Sequence, residues 1–216
     1  MLQQIIKKIN CPNCDEENEV ILWEKVNIDM NPDLKEKLFT EKINNLVCKK
    51  CGFISRVDIP LYYNDTKRKF FIYLVPDFPI DKKEEEKLLS SLREKTLNIL
   101  DDGYNNRKRI VFDYYNLLEK IIIFDAELDD RVVEGCKILA RTQLQLMEGR
   151  AAFAKFENDE LVFNFFEKEE KEASKNFSVP KAMYVEVEKI IISKDIETND
   201  EFKKIDVQYA VRNLMN

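Results

Sequence analysis

Two cysteine pairs, Cys11-Pro12-Asn13-Cys14 and Cys48-Lys49-Lys50-Cys51, constrain the 216-residue chain more than any other feature. A C-x-x-C turn points two sulfurs at one ion, and two such turns supply four ligands. The chain has no histidine, so a closed site built from these pairs is all-thiolate, the tetrahedral donor set of structural zinc. Four thiolates leave no open position for water. Gly52 follows the second pair and suits a tight turn, while Asp15 holds the matching place after the first, which aspartate tolerates better than a branched residue. Pro12 presets one dihedral of the first turn. The spacing therefore predicts one structural Zn2+ on Cys11, Cys14, Cys48 and Cys51. An iron site on the same cysteines and a redox dithiol are the rivals. A thioredoxin-like motif needs only one pair, placed after a strand and opening a helix, whereas both pairs here sit at strand turns. Cys136 stands apart, on an apolar helical face, and reads as a small core residue.

Apolar residues make up 44% of the chain and aromatics 11%, enough to build a core. Up to Phe78, twelve Lys/Arg balance twelve Asp/Glu; the remainder holds 23 against 29, so the net charge of −6 lies entirely there. Neither part has the basic excess that phosphate-backbone binding requires. Short basic runs at residues 67–69 and 107–109 read as solvated edges. The first ten residues are too short and polar for a signal peptide, and no run approaches the roughly 18 apolar residues of a membrane span. The expectation is a cytoplasmic protein with no membrane partner, its thiols kept reduced.

The pairs are separated by 33 residues, long enough for structure of its own. Residues 19–27 have strand composition. Asn31-Pro32-Asp33 places a capping side chain before a proline at a helix start, and Leu34, Leu38 and Phe39 continue at helical spacing. Residues 43–47 return as a strand. Residues 53–59 and 70–75 are β-rich runs with a turn expected at Asn64-Asp65, and the prolines at 76 and 79 set a domain boundary, giving regions 1–79 and 80–216. From Asp81 the period becomes helical, with Leu88, Leu89, Leu92, Leu97 and Leu100 on one face and Gly103 as a stop. Residues 110–112 fit a short strand or the entry to the next helix. Helices are expected over about 113–125 and 130–147, followed by a hairpin of 154–156 and 161–165 turning at Asn158-Asp159. Residues 168–175 read as a charged loop or hairpin rim. Residues 179–192 fit helix or strand equally, and Asp206 caps a last helix. The fold class is α+β, a zinc-ribbon-like β domain with an inserted short helix followed by a mainly helical domain with a β-hairpin.

The stretches CPNC, EVILWEKVNIDMNPDLKEKLF, CKKCGF and DIPLYYNDTKRKFFIYLVP resemble the bacterial and archaeal CpXC family, named for its Cys-Pro-x-Cys. The resemblance covers about residues 11–79 and continues more weakly into RIVFDYYNLLEKIIIFDAELDDRVVEGCK. It implies a zinc-ribbon-like domain with Cys11, Cys14, Cys48 and Cys51 as ligands, and it implies no substrate.

Without histidine there is no imidazole base, no Ser-His-Asp triad and no His-bound catalytic metal. The four glycines are scattered, so no phosphate loop exists. Asp125, Glu127, Asp129 and Asp130 form the densest acidic group and read as a solvated corner or helix caps, with a cation or catalytic site as the rival. Trp23, Tyr62, Tyr63, Phe70, Phe71 and Tyr73 read as cover for a small core, with an exposed stacking platform as the rival. The functional expectation is a non-enzymatic adaptor that binds a protein partner; the alternative is nucleic-acid binding.

Overall fold

A computed structural model describes residues 4–76, 81–99, 107–146, 148–168, 170, 172–196 and 201–214. It is mixed α and β, with six helices and four small sheets among the described residues. Backbone contacts divide it into two compact units, Met1–Tyr114 and Tyr115–Asn216. The boundary expected at 79/80 and the helix stop at Gly103 lie outside the described residues.

The first unit begins with a hairpin of β1 (Gln4–Asn10) and β2 (Glu17–Trp23), paired in unbroken antiparallel register from Gln4↔Trp23 to Asn10↔Glu17. Along β2, Asn18, Val20 and Leu22 are buried while Glu17, Glu19 and Ile21 are exposed, the period-2 alternation of a sheet with one wet face. The chain bends at Glu24, so the strand expected over 19–27 is two strands with different partners. The second of these, β3 (Lys25–Asn27), joins a different sheet.

Helix α1 (Asp33–Phe39) buries Leu34 and Leu38. Its start differs in detail from expectation: no side chain caps it, and Leu34 N donates instead to the Asn31 main-chain carbonyl at 3.1 Å. A second hairpin follows, β4 (Asn45–Val47) with β5 (Ile54–Arg56), only three pairs long.

Strands β6 (Leu61–Asp65) and β7 (Phe70–Leu74) are antiparallel, flanked by parallel β3 and by parallel β8 (Arg107–Val111), in the order β3-β6-β7-β8. The turn between β6 and β7 lies beyond the expected Asn64-Asp65. Asp65 is a fully buried strand end whose carboxylate accepts from Arg68 N at 2.9 Å, closing the turn from behind. Leu61, Tyr63, Phe70, Ile72 and Leu74 form the buried face. Helix α2 (Lys82–Ile99) lies between β7 and β8 in the chain; of the residues 110–112, Ile110 and Val111 end β8, and Phe112 bends toward the next helix.

Helices α3 (Tyr114–Asp125) and α4 (Asp130–Gln143), a sheet of order β11-β10-β9, and helices α5 (Lys181–Lys194) and α6 (Val207–Leu214) complete the chain. Its strands are β9 (Arg150–Glu157), β10 (Glu160–Phe166) and β11 (Lys175–Pro180). The ambiguous stretch 179–192 divides at Pro180, which ends β11 and precedes α5. Asp206 caps α6 by accepting from Tyr209 N at 2.9 Å. No helix of the described residues is long and apolar enough to cross a membrane.

Helix α4 is buried on nearly every side, and Gly135 shows why a residue without a side chain is needed there. A Cβ at 135 would lie 2.6 Å from Val187 Cγ1 on α5 and 3.2 Å from Leu214 Cδ1 on α6. Gly135→Ala should therefore destabilise the protein by about 1–3 kcal/mol, overpacking outweighing the better helix propensity of alanine. A urea midpoint equal to or above that of the parent would contradict this close packing.

Candidate metal centre

Each cysteine pair sits at the end of a hairpin, and the two turns share one backbone hydrogen-bond pattern. In the first, Cys11 N donates to Glu16 O at 2.9 Å and Asp15 N donates to Cys11 O at 2.8 Å. In the second, Cys48 N donates to Phe53 O at 2.9 Å and Gly52 N donates to Cys48 O at 2.9 Å. Asp15 (φ 58°) and Gly52 (φ 72°) occupy the same left-handed position, where the turn reverses and draws both sulfurs inward. The departure from glycine at Asp15 leaves this pattern intact, and Asn10 Nδ2 donates to the Asp15 carboxylate at 3.1 Å.

The four Sγ atoms lie within 4.8 Å of one another. Across the turns, Cys11 to Cys51 is 3.7 Å and Cys14 to Cys48 is 3.5 Å. With metal–sulfur bonds of about 2.3 Å, a tetrahedron puts its sulfurs about 3.8 Å apart. Disulfide sulfurs would lie about 2.0 Å apart, and all five cysteines are free thiols. The arrangement is thus compatible with a metal site of four thiolates.

Local electrostatics divide the sulfurs. The backbone N–H of Cys51, and after it that of Lys50, pull the Cys48 thiol below the usual range against the effect of burial. The Asn13 amide, then the Phe53 N–H, lower Cys51. Cys14 moves upward: the Glu16 N–H acts to lower it, but desolvation and the crowding sulfurs of Cys51, Cys48 and Cys11 prevail. Full ionisation of four adjoining thiols requires a cation among them.

Beneath the sulfurs lies a small core of Val20, Leu22, Leu46 and Ile59 with Cys11 and Cys48, and Ile5, Ile9 and Val57 pack against it. Two buried asparagines clasp the hairpins across this core. At the far end Asn44 stands in for a strand: its Oδ1 accepts from Trp23 N at 2.6 Å and its Nδ2 donates to Trp23 O at 3.0 Å. At the metal end Asn18 accepts from Lys49 N at 3.0 Å. Sequence reasoning missed both. Asn18 did leave a signal, because it falls on the inward phase of β2 with Val20 and Leu22, where a polar residue must find partners.

The other candidates disperse. Cys136 is fully buried, and desolvation pushes its thiol up to about 12, as befits an inert core residue. The acidic group is not a solvated corner throughout: Asp129 caps α4 by accepting from Arg131 N at 2.9 Å, and Asp130 is fully buried 3.1 Å from Lys120 Nζ. Tyr63 and Phe70 stack within the buried face of the four-stranded sheet. Tyr62 and Tyr73 stack at 4.0 Å and are half-buried.

A family model described as CpXC protein matches residues 9–137, spanning both cysteine pairs and reaching into α4. No curated protein and no solved structure matches.

Proposed function

The chain belongs to the CpXC family, and from that premise we propose that it is a cytoplasmic zinc protein acting as a non-enzymatic protein-interaction module. One structural Zn2+ on Cys11, Cys14, Cys48 and Cys51 would bind the hairpins into a zinc-ribbon-like domain, and the mainly helical remainder would form a second domain. The ion would supply charge neutralisation and a fixed tetrahedral joint, with no open position for chemistry. Thiolate softness favours zinc over magnesium or calcium, and a reducing compartment keeps the ligands available.

The observation that carries the adaptor reading is the outer surface of the two hairpins. Ile6 and Ile21 are directly cross-strand partners and are 69% and 58% exposed; Val47 and Ile54 are partners on the second hairpin and are each 61% exposed. Paired aliphatics facing water on both cysteine-bearing hairpins cost solubility unless another surface covers them. Phe53 adds a further exposed ring beside the second pair. The balanced charge of residues 1–78 favours a protein over a polyanion as that cover.

The test compares the parent with an Ile6→Lys, Val47→Lys double variant in affinity capture from the native host, alongside anisotropy titration of single-stranded nucleic acid. The expected outcome is a partner whose recovery falls at least about tenfold in the variant, as loss of central apolar contacts implies, with no salt-dependent nucleic-acid binding. Equal recovery by parent and variant would refute the adaptor surface. Affinity for nucleic acid that falls steeply with salt would support the alternative, with Tyr62 and Tyr73 as its stacking pair.

A further inference from the structure

We infer that Asn18 and Asn13 are positioning residues through which the first hairpin presents Cys48 and Cys51 to the ion, an inference that rests on the four-thiolate reading above. Asn18 is 4% exposed and belongs to the inward row of β2. Its single amide reaches both turns. Nδ2 donates to Glu16 O at 2.7 Å, just after the first pair, and lies 3.8 Å from Cys48 Sγ, while Oδ1 accepts from Lys49 N at 3.0 Å inside the second pair. Asn13, exposed between the first two cysteines, extends its Nδ2 to Cys51 Sγ at 3.5 Å.

These contacts run in one direction. Both side-chain amides that meet a sulfur start on the first hairpin and end on the second pair; among the described residues, none reaches Cys11 or Cys14. The two hairpins differ correspondingly in their own resources. The first has seven residue pairs in unbroken register, the second has three. Three pairs form a marginal hairpin, so the shorter element needs an external anchor to hold two thiolates at tetrahedral spacing. Lys49 and Lys50 add only weak ties, since their exposed ammonium groups lie 3.4 and 3.9 Å from the Glu16 carboxylate of the first hairpin and such surface ion pairs contribute little.

The two asparagines meet that need in two ways. The Asn18 carbonyl fixes the Lys49 backbone, and so the turn on which Cys48 and Cys51 sit. The N–H donors aimed at the two sulfurs disperse thiolate charge in a ligand set that would carry a net −2 with a divalent ion, the role outer groups play around metal ligands. The first pair, lacking such side-chain donors, relies on its own turn.

The experiment uses the full chain with Zn2+ and Co2+ as probes. Chelator competition measures Zn2+ affinity for the parent, Asn13→Ala, Asn13→Asp and Asn18→Asp; the sulfur-to-cobalt charge-transfer band measures the thiolates directly. Aspartate keeps the shape and the acceptor but lacks the N–H donors. Asn13 is exposed, so its replacement leaves folding aside should Asn18→Asp fail to fold. Expected losses are about tenfold for Asn13→Ala and about a hundredfold for Asn18→Asp, the span seen when outer partners of metal ligands are removed. The charge-transfer band should move in energy, a change that a purely structural role would not produce. Zn2+ affinity of Asn13→Ala within about twofold of the parent, together with an unmoved band, would overturn the inference while leaving the metal reading standing. A parent that takes up neither ion would overturn both.

Discussion

Cys48→Ser should lose the ion and, with it, the second hairpin. The parent is expected to retain one equivalent of zinc by elemental analysis after gentle purification, and the variant less than about half. The scale of the effect comes from binding energy: structural zinc contributes on the order of 10–16 kcal/mol in small zinc-finger peptides. The core it closes contains only a few aliphatic side chains, Val20, Leu22, Leu46 and Ile59 among them. Fully burying one such side chain contributes about 1.5–3 kcal/mol, and chain entropy offsets much of that sum. Metal-free protein should therefore show fast hydrogen exchange across 45–56, where three residue pairs hold β4 to β5. Exchange across β6 and β7 should stay slow, because Leu61, Tyr63, Phe70, Ile72 and Leu74 are buried in a sheet that contains no ligand. Equal metal content in parent and Cys48→Ser, or unchanged protection of 45–56 after chelation, would refute the four-thiolate site.

The two turns were legible in the chain because their geometry is local. A C-x-x-C spacing and an Asp or Gly after it are enough to specify left-handed backbone at Asp15 and Gly52 and the inward sulfurs that follow. Helices α4 and α6 were legible for the same reason, their apolar spacing and caps lying within a few residues. What could not be read locally was pairing. Strand β3 looks like a continuation of β2, yet a bend at Glu24 hands it to β6, about 40 residues away in sequence. Strand β8 carries the charged run Arg107-Lys108-Arg109 and reads as polar, yet it pairs in parallel with β7, and Arg109 is fully buried there. Strand β1 was overlooked because Ile5, Ile6 and Ile9 fit no single period. The asparagine clasps needed knowledge of both hairpins at once, and so only the three-dimensional arrangement reveals them.

Glu134→Ala should destabilise the protein, because it removes the carboxylate that two buried cations share. Glu134 Oε1 lies 2.9 Å from Lys137 Nζ and 3.3 Å from Lys120 Nζ. Lys120 also meets Asp130 at 3.1 Å, and Lys137 meets Glu119 at 2.7 Å, while Phe153 N donates to the Glu119 carboxylate. All five charged side chains are buried. Burial alone would lower the Lys137 ammonium, but Glu119 and Glu134 outweigh it and hold Lys137 above the usual lysine range, so it stays charged. Without Glu134, Lys120 keeps Asp130 and Lys137 keeps Glu119, so the loss is of two charge-assisted contacts rather than of charge balance, about 1.5–3 kcal/mol against a total stability of about 5–15 kcal/mol. The same physics says the network is not a large net source of stability, since desolvation offsets most of the attraction. Replacing a carboxylate and an ammonium together, as Glu134→Leu with Lys137→Met, should cost more than Glu134→Ala alone, because it takes Lys137 from the buried Glu119 carboxylate. Lys120 would keep Asp130, but Glu119 would keep the Phe153 N–H without its ammonium partner. Urea midpoints at constant m-value decide the matter. A double variant at least as stable as Glu134→Ala would show that buried Glu119 draws no net stability from Lys137 and would contradict this account of the cluster.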